Sequence, residues 1–182
     1  MIIIAGLGNP GDKYKNTRHN VAWLAFDDIL GDVKWIENKK FKALIYQEGA
    51  YLFVKPLSYI NLSGESLRKI MDYYKLLPKN LGIINKKDAD LSSSLIVVHD
   101  DLDLMFGKVK ETSNSGSAGH NGLKSIIKEL KTKNFNRIKI GIKNESLKNP
   151  IPTDKFVLQN FNPEEKSMLK DIFSKIDLRK KL

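Results

Sequence analysis

Cysteine is absent from all 182 residues. That excludes a disulfide scaffold and a thiol nucleophile, and it fits a reducing compartment. Long apolar runs are missing too. The opening Ile2–Ala5 stretch is too short to span a bilayer, and it lacks the basic flank and small-residue cleavage site of a secretory signal. A cytoplasmic protein with no membrane segment is the expectation. Histidine is scarce, at three residues, and acidic charge is in deficit, with 21 Asp+Glu against 31 Lys+Arg. The net charge of +10 points to a polyanionic partner, with a solvated lysine-rich surface as the plain alternative. The hydrophobic share of 41% is that of a globular chain, and the length suits one core.

Elements alternate in the α/β manner. IIIA at 2–5 and SLIVVHDD at 94–101 read as buried strands, FKALIYQ and AYLFVKP as strands meeting near Gly49, and KVKET and RIKIGI as two more, the last half-exposed. Asn20 is expected to cap a helix over VAWLAFDDIL that Gly31 ends. The 3-4-7 spacing of Leu67, Ile70, Met71 and Tyr74 predicts a helix from about Ser63 to Leu76. Leu123, Ile126, Ile127 and Leu130 predict another. Asn162-Pro163-Glu164-Glu165 has the cap, proline and acidic first turn of a last helix ending in basic residues. The polar stretch from Leu77 to Ser94 reads as a surface connection. The expected fold is one α/β domain over residues 1–182, a twisted mixed sheet with helices on both faces.

GLGNPG at 6–11 fits the template G-x-G-x-x-G, but its context fails. The dinucleotide fingerprint needs a helix opening at the turn. Here Pro10 follows Asn9, and no apolar helical period begins before Val21. The segment is therefore read as an irregular loop at a strand end that presents polar side chains. His19 closes that loop just before a helix, near the mouth where ligands approach an α/β sheet, and Asp100 ends a buried strand lining the same mouth. An aspartate on one imidazole nitrogen fixes the tautomer and leaves the other nitrogen to take a proton, which makes a general base. His99 points away from Asp100 and is read as structural, and His120 as holding the loop that enters its helix. Asp100, Asp101 and Asp103 raise a rival reading, a magnesium site for phosphodiester cleavage, without a second acid cluster to support it. Asn9, Asn61 and Asn121 offer uncharged donors and acceptors suited to peptide or ester groups, although the last two could simply cap helices. An RNA-binding module without turnover is a further alternative, its aromatic side chains stacking bases.

GLGNPGDKYKNTRHN, KPLSYINLSG, VVHDDLDLMFG and GHNGLKSI, in this order and spacing from Ile2 to about Phe161, resemble the bacterial peptidyl-tRNA hydrolases. The resemblance implies a monomeric α/β esterase that cleaves the bond between peptide and the terminal ribose of tRNA, with no metal or organic cofactor. It implies that His19 activates water, that Asp100 orients it, and that Asn9 senses whether the aminoacyl nitrogen is blocked. Tyr14 and Tyr59 match positions that contact the substrate's 3′ end, and Asn61 and Asn121 its hydrogen-bonding amides. Lys110, Arg137 and Lys139 are expected to grip tRNA phosphates. The chain departs from the family pattern at Ile60, where methionine is usual, at Ser117 and Ala118 in place of glycines, and at Lys139 in place of arginine, which loses the bidentate fork.

Overall fold

A computed structural model describes residues 1–80, 84–144 and 151–179. Seven strands form one sheet in the order β2-β3-β4-β1-β7-β9-β8. They are β1 (Ile2–Gly6), β2 (Ile36–Asn38), β3 (Ala43–Glu48), β4 (Tyr51–Pro56), β7 (Leu95–Met105), β8 (Val109–Thr112) and β9 (Asn136–Lys143), with a separate two-residue pair, β5 (Lys79–Asn80) and β6 (Ile84–Asn85). The centre, β4-β1-β7-β9, is parallel, and the flanking pairs are antiparallel. Among the described residues the α-helices are α1 (Val21–Leu30), α2 (Ser63–Tyr73), α3 (Asn121–Leu130), α4 (Thr153–Val157) and α5 (Pro163–Phe173).

Alternation along the central strands feeds two cores. Ile3, Ala5, Leu95 and Val97 face α2 and α3, whereas Ile4, Ile96, Val98, Ile138 and Ile140 face α1 and α5. The expected mixed sheet with helices on both faces is therefore what forms. β9 is not half-exposed as expected. It lies between β7 and β8, and Arg137, Ile138 and Ile140 are all buried. The last helix starts with the expected capping box, Asn162 Oδ1 accepting from the Glu165 N–H and Glu165 Oε2 from the Asn162 N–H. It stops at Phe173, before the expected Ile176, with Lys170 in its last turn, and residues 180–182 lie outside the described residues. Residues 81–83 of the expected surface connection lie outside them as well. No helix among the described residues is long and apolar enough to cross a membrane.

The glycines of GLGNPG serve close packing. A Cβ on Gly6 would sit 2.9 Å from the Phe26 ring, and one on Gly8 would sit 2.8 Å from Trp23 Nε1. Both rings belong to α1, and the Trp23 indole N–H donates to the Gly6 carbonyl at 2.8 Å. Gly64 does the same for the other layer. Its missing Cβ would lie 2.3 Å from the Ser125 carbonyl oxygen, and its N–H donates to Ser125 Oγ at 3.0 Å, so α2 and α3 touch backbone to backbone.

Candidate active site

The parallel strands β4, β1 and β7 end on the same edge of the sheet, and the chain leaves β1 and β4 toward opposite faces. That opens a crevice at their carboxyl ends. Asn9 follows β1, Tyr59 and Asn61 follow β4, and Asp100 lies at the end of the buried part of β7.

Asp100 Oδ1 accepts two hydrogen bonds, from His19 Nδ1 at 2.8 Å and His120 Nε2 at 3.1 Å. The carboxylate is 2% exposed. Burial alone would raise its pKa, but the two imidazoles hold it well below the usual carboxylate range. For His19, burial favours the neutral ring, yet the charge of Asp100 and the hydrogen bond to it prevail and leave the pKa above 6.5. The bond engages Nδ1 and leaves Nε2 as the proton acceptor. His120 does hold the entry to α3, its Nδ1 accepting from the N–H groups of Gly122 and Leu123 at 3.0 and 3.3 Å. Since Nδ1 accepts, the proton is on Nε2, facing Asp100. His99 donates from Nδ1 to the Asp100 carbonyl oxygen at 2.7 Å, and burial, with His120 beside it, pushes its pKa down to about 3. It stays neutral, as its structural role requires.

His19 Nδ1, Asp100 Oδ1 and His120 Nε2 lie within 4.8 Å of one another and could in principle bind a cation. The tautomer of His120 opposes this. A metal on Nε2 would need the proton moved to Nδ1, where it would confront two backbone N–H donors. The magnesium reading fares no better at Asp101. Its Oδ1 accepts from the N–H groups of Asp103 and Leu104, and its Oδ2 is 2.8 Å from Lys139 Nζ.

Asn20 is the residue that sequence reasoning misplaced. Its side chain makes no cap bond to α1. Instead Oδ1 accepts from the Asn9 N–H and Nδ2 donates to the Asn9 carbonyl, each at 2.9 Å. Asn9 in turn accepts from the Ile60 N–H at Oδ1, also 2.9 Å, leaving Nδ2 as its unengaged end. Asn9 thus ties the His19–Asn20 turn to the Tyr59–Asn61 turn. Arg18, next to His19, is buried over the Phe156 and Phe161 rings and ion-paired with Glu165 at 2.8 Å, anchoring the same turn to α5.

Tyr14 and Tyr59 meet edge to face with centroids 6.4 Å apart, and Tyr59 is half-exposed. Asn61 and Asn121 line one cleft together with Leu62, Glu65 and Lys124. A second pocket lies beside His19, lined by Leu102, Gly116–Asn121, Lys139 and Val157.

The three expected phosphate contacts separate. Lys110 is exposed and directly opposite Lys139 across β8 and β9. Lys139 is already paired with Asp101. Arg137 cannot touch a phosphate, because it is fully buried and its guanidinium donates to the carbonyls of Ser115 and Gly116. A lone strand alternation placed Arg137 beside Lys139 correctly but did not reveal that the loop after β8 covers it.

The family model described as "Peptidyl-tRNA hydrolase" matches residues 3–179. The peptidyl-tRNA hydrolase of Bacillus velezensis is 42% identical over 181 residues, covering 96% of this chain and 87% of that protein. The one from Bacillus subtilis is 40% identical over 183 residues with the same coverage. The crystal structure of peptidyl-tRNA hydrolase from Acinetobacter baumannii superposes with a TM-score of 0.77 at 24% identity, over 96% of this chain and 83% of that one, a likeness of fold.

Proposed function

The chain belongs to the peptidyl-tRNA hydrolase family and hydrolyses the ester of peptidyl-tRNA, and we propose that the His19–Asp100 pair supplies the general base for that reaction. The observation that supports this reading is the 2.8 Å bond from His19 Nδ1 to the Asp100 carboxylate, which commits Nε2 to accepting a proton. In the proposed sequence, Nε2 takes a proton from water as the water oxygen bonds to the ester carbonyl carbon. The imidazolium then gives that proton to the departing ribose oxygen as the carbon–oxygen bond breaks. Asp100 holds the ring and stabilises its charged form. One N–H of Asn9 Nδ2 and the Asn61 amide are proposed to donate to the oxyanion as it develops, and the other Nδ2 N–H to the acyl carbonyl of a blocked aminoacyl nitrogen.

The substrate's two ends are assigned to the two openings. Tyr14, Tyr59, Asn61 and Asn121 receive the 3′ end of tRNA, whose bases stack on aromatic faces. The pocket beside His19 receives the peptidyl residue. Lys110 and Lys139 are assigned to tRNA phosphates, with Lys139 having to exchange Asp101 for the phosphate. The chain is proposed to work as a single-domain monomer in the cytoplasm, without a metal.

Release of N-acetylamino acid from charged tRNA is the test. His19→Ala is expected to lose about 100- to 10,000-fold in kcat while still binding tRNA. EDTA, with the tRNA kept folded, is expected to leave the chemical step unchanged. Full activity in His19→Ala would remove the general-base reading, and a rate lost to EDTA and restored by magnesium would return the metal one.

A further inference from the structure

Among the described residues, Arg137 is the largest side chain fully closed to solvent. Burial pushes its pKa down to about 10, which leaves it a cation at neutral pH. No carboxylate among the described residues pairs with it. A buried cation without a counter-anion is unfavourable in itself, so the partners it does have carry the explanation. Nη1 donates to the Gly116 carbonyl at 2.6 Å, Nη2 donates to the Ser115 carbonyl, and the guanidinium lies 4.7 Å over the Phe135 ring. A planar fork on two successive carbonyls fixes the direction of two peptide units at once, which lysine's single point charge cannot do. The other hydrogen bonds of this loop among the described residues are local, from Ser115 Oγ to the Ser113 carbonyl and from the His120 N–H to the Ser117 carbonyl.

The loop so held is the wall of the pocket beside His19, from Gly116 to Gly119. We propose that Arg137 is a positioning residue for the substrate: it fixes this wall and thereby sets how tightly the peptidyl residue is held, without acting on the chemical step. The proposal rests on the reading above that this pocket receives the peptidyl residue. The catalytic pair is secured independently. His19 and Asp100 bond to each other directly, and His120 is held by the first N–H groups of α3. Loosening Ser115 and Gly116 therefore opens the wall and spares the base.

The experiment compares Arg137→Lys and Arg137→Gln with the parent enzyme on N-acetylaminoacyl-tRNA, beside Ala118→Trp, which fills the pocket from the same loop. Loss of the charge-assisted fork is expected to raise KM about ten-fold, with kcat within about two-fold of the parent. The acidic limb of the pH profile stays where it is, and amide exchange speeds up from Ser115 to His120. If Ala118→Trp raises KM and the Arg137 variants do not, the role given to Arg137 is wrong while the pocket stands. If Ala118→Trp leaves KM unchanged, the peptidyl residue lies elsewhere and the underlying reading fails. A fall in kcat at constant KM, tracking the folded fraction, would make Arg137 an ordinary structural residue and overturn the proposal.

Discussion

Asn20 holds Asn9 by both of its backbone polar groups, accepting from the N–H and donating to the carbonyl at 2.9 Å each. With Asn9 Oδ1 taken by the Ile60 N–H, only the Nδ2 donor remains for substrate. A donor can pair with the acyl carbonyl of a blocked aminoacyl nitrogen but repels a free ammonium. Asn9→Ala should therefore narrow the preference for N-acetylaminoacyl-tRNA over aminoacyl-tRNA, and Asn9→Asp should narrow it further. Asn20→Ala should mimic Asn9→Ala, since one unpaired buried group costs about 1–3 kcal/mol, or roughly 5- to 150-fold. Ratios of kcat/KM for the two substrates decide; an unchanged ratio in all three variants places selectivity elsewhere.

The pH profile follows from the opposed forces on His19. Its pKa lies above 6.5 because Asp100 outweighs burial. With His19 as the proposed base, activity should fall on acidification along a limb centred above 6.5. In Asp100→Asn the anion is gone and burial acts alone, so the limb should move below 6.5 while the plateau drops. A limb that does not move in Asp100→Asn would mean that another group titrates.

His99 predicts an acid weakness of the fold. Its native pKa is about 3 against an unfolded value of 6.5, so below pH 6.5 the unfolded chain binds a proton that the native one refuses. Stability is lost as pH falls through that window, by about 2 kcal/mol at pH 5. His19 acts in the opposite direction, because its raised pKa favours the native state at low pH and that contribution disappears as pH rises. Comparing urea unfolding of the parent and His99→Asn isolates the first effect. The variant should show the shallower slope between pH 7.5 and 5, and parallel slopes would refute the assignment.

Salt dependence separates the three basic residues of β8 and β9. Lys110→Ala and Lys139→Ala should each reduce the slope of log KM against log salt by up to about 0.9 per lost phosphate contact. Arg137→Gln should leave the slope alone, since the buried guanidinium releases no counterion. A loss of slope in Arg137→Gln and none in the lysine variants would reverse the assignment.

What could be read from the sequence was whatever local pattern decides. The two faces of the sheet, the helix over Val21–Leu30 and the capping box at Asn162 all follow from periodicity and cap chemistry within a few residues. The motif blocks named His19, Asp100 and Asn9, and the fold brings His19 to Asp100 and Asn9 to Ile60. Partners set by tertiary approach were not legible. Asn20 looks like a helix cap because only the folded loop brings Asn9, eleven residues earlier, to its side chain. Arg137 looks like a surface cation because the loop covering it is 21 residues away in the chain. The three-residue β2 and five-residue α4 were too short to carry a period.

The contact at Gly64 acts as a ruler for the cleft between α2 and α3. Asn61 stands one turn before α2 and Asn121 opens α3, so the gap between their amides is set by how closely those two helices approach. That approach is limited by backbone atoms alone, with the missing Cβ only 2.3 Å from the Ser125 carbonyl. A single methyl group at position 64 would be a wedge driven between the helices, and its effect would be felt as a change of width in the cleft that Asn61 and Asn121 line. Calibration of the cleft is thus delegated to a residue with no side chain.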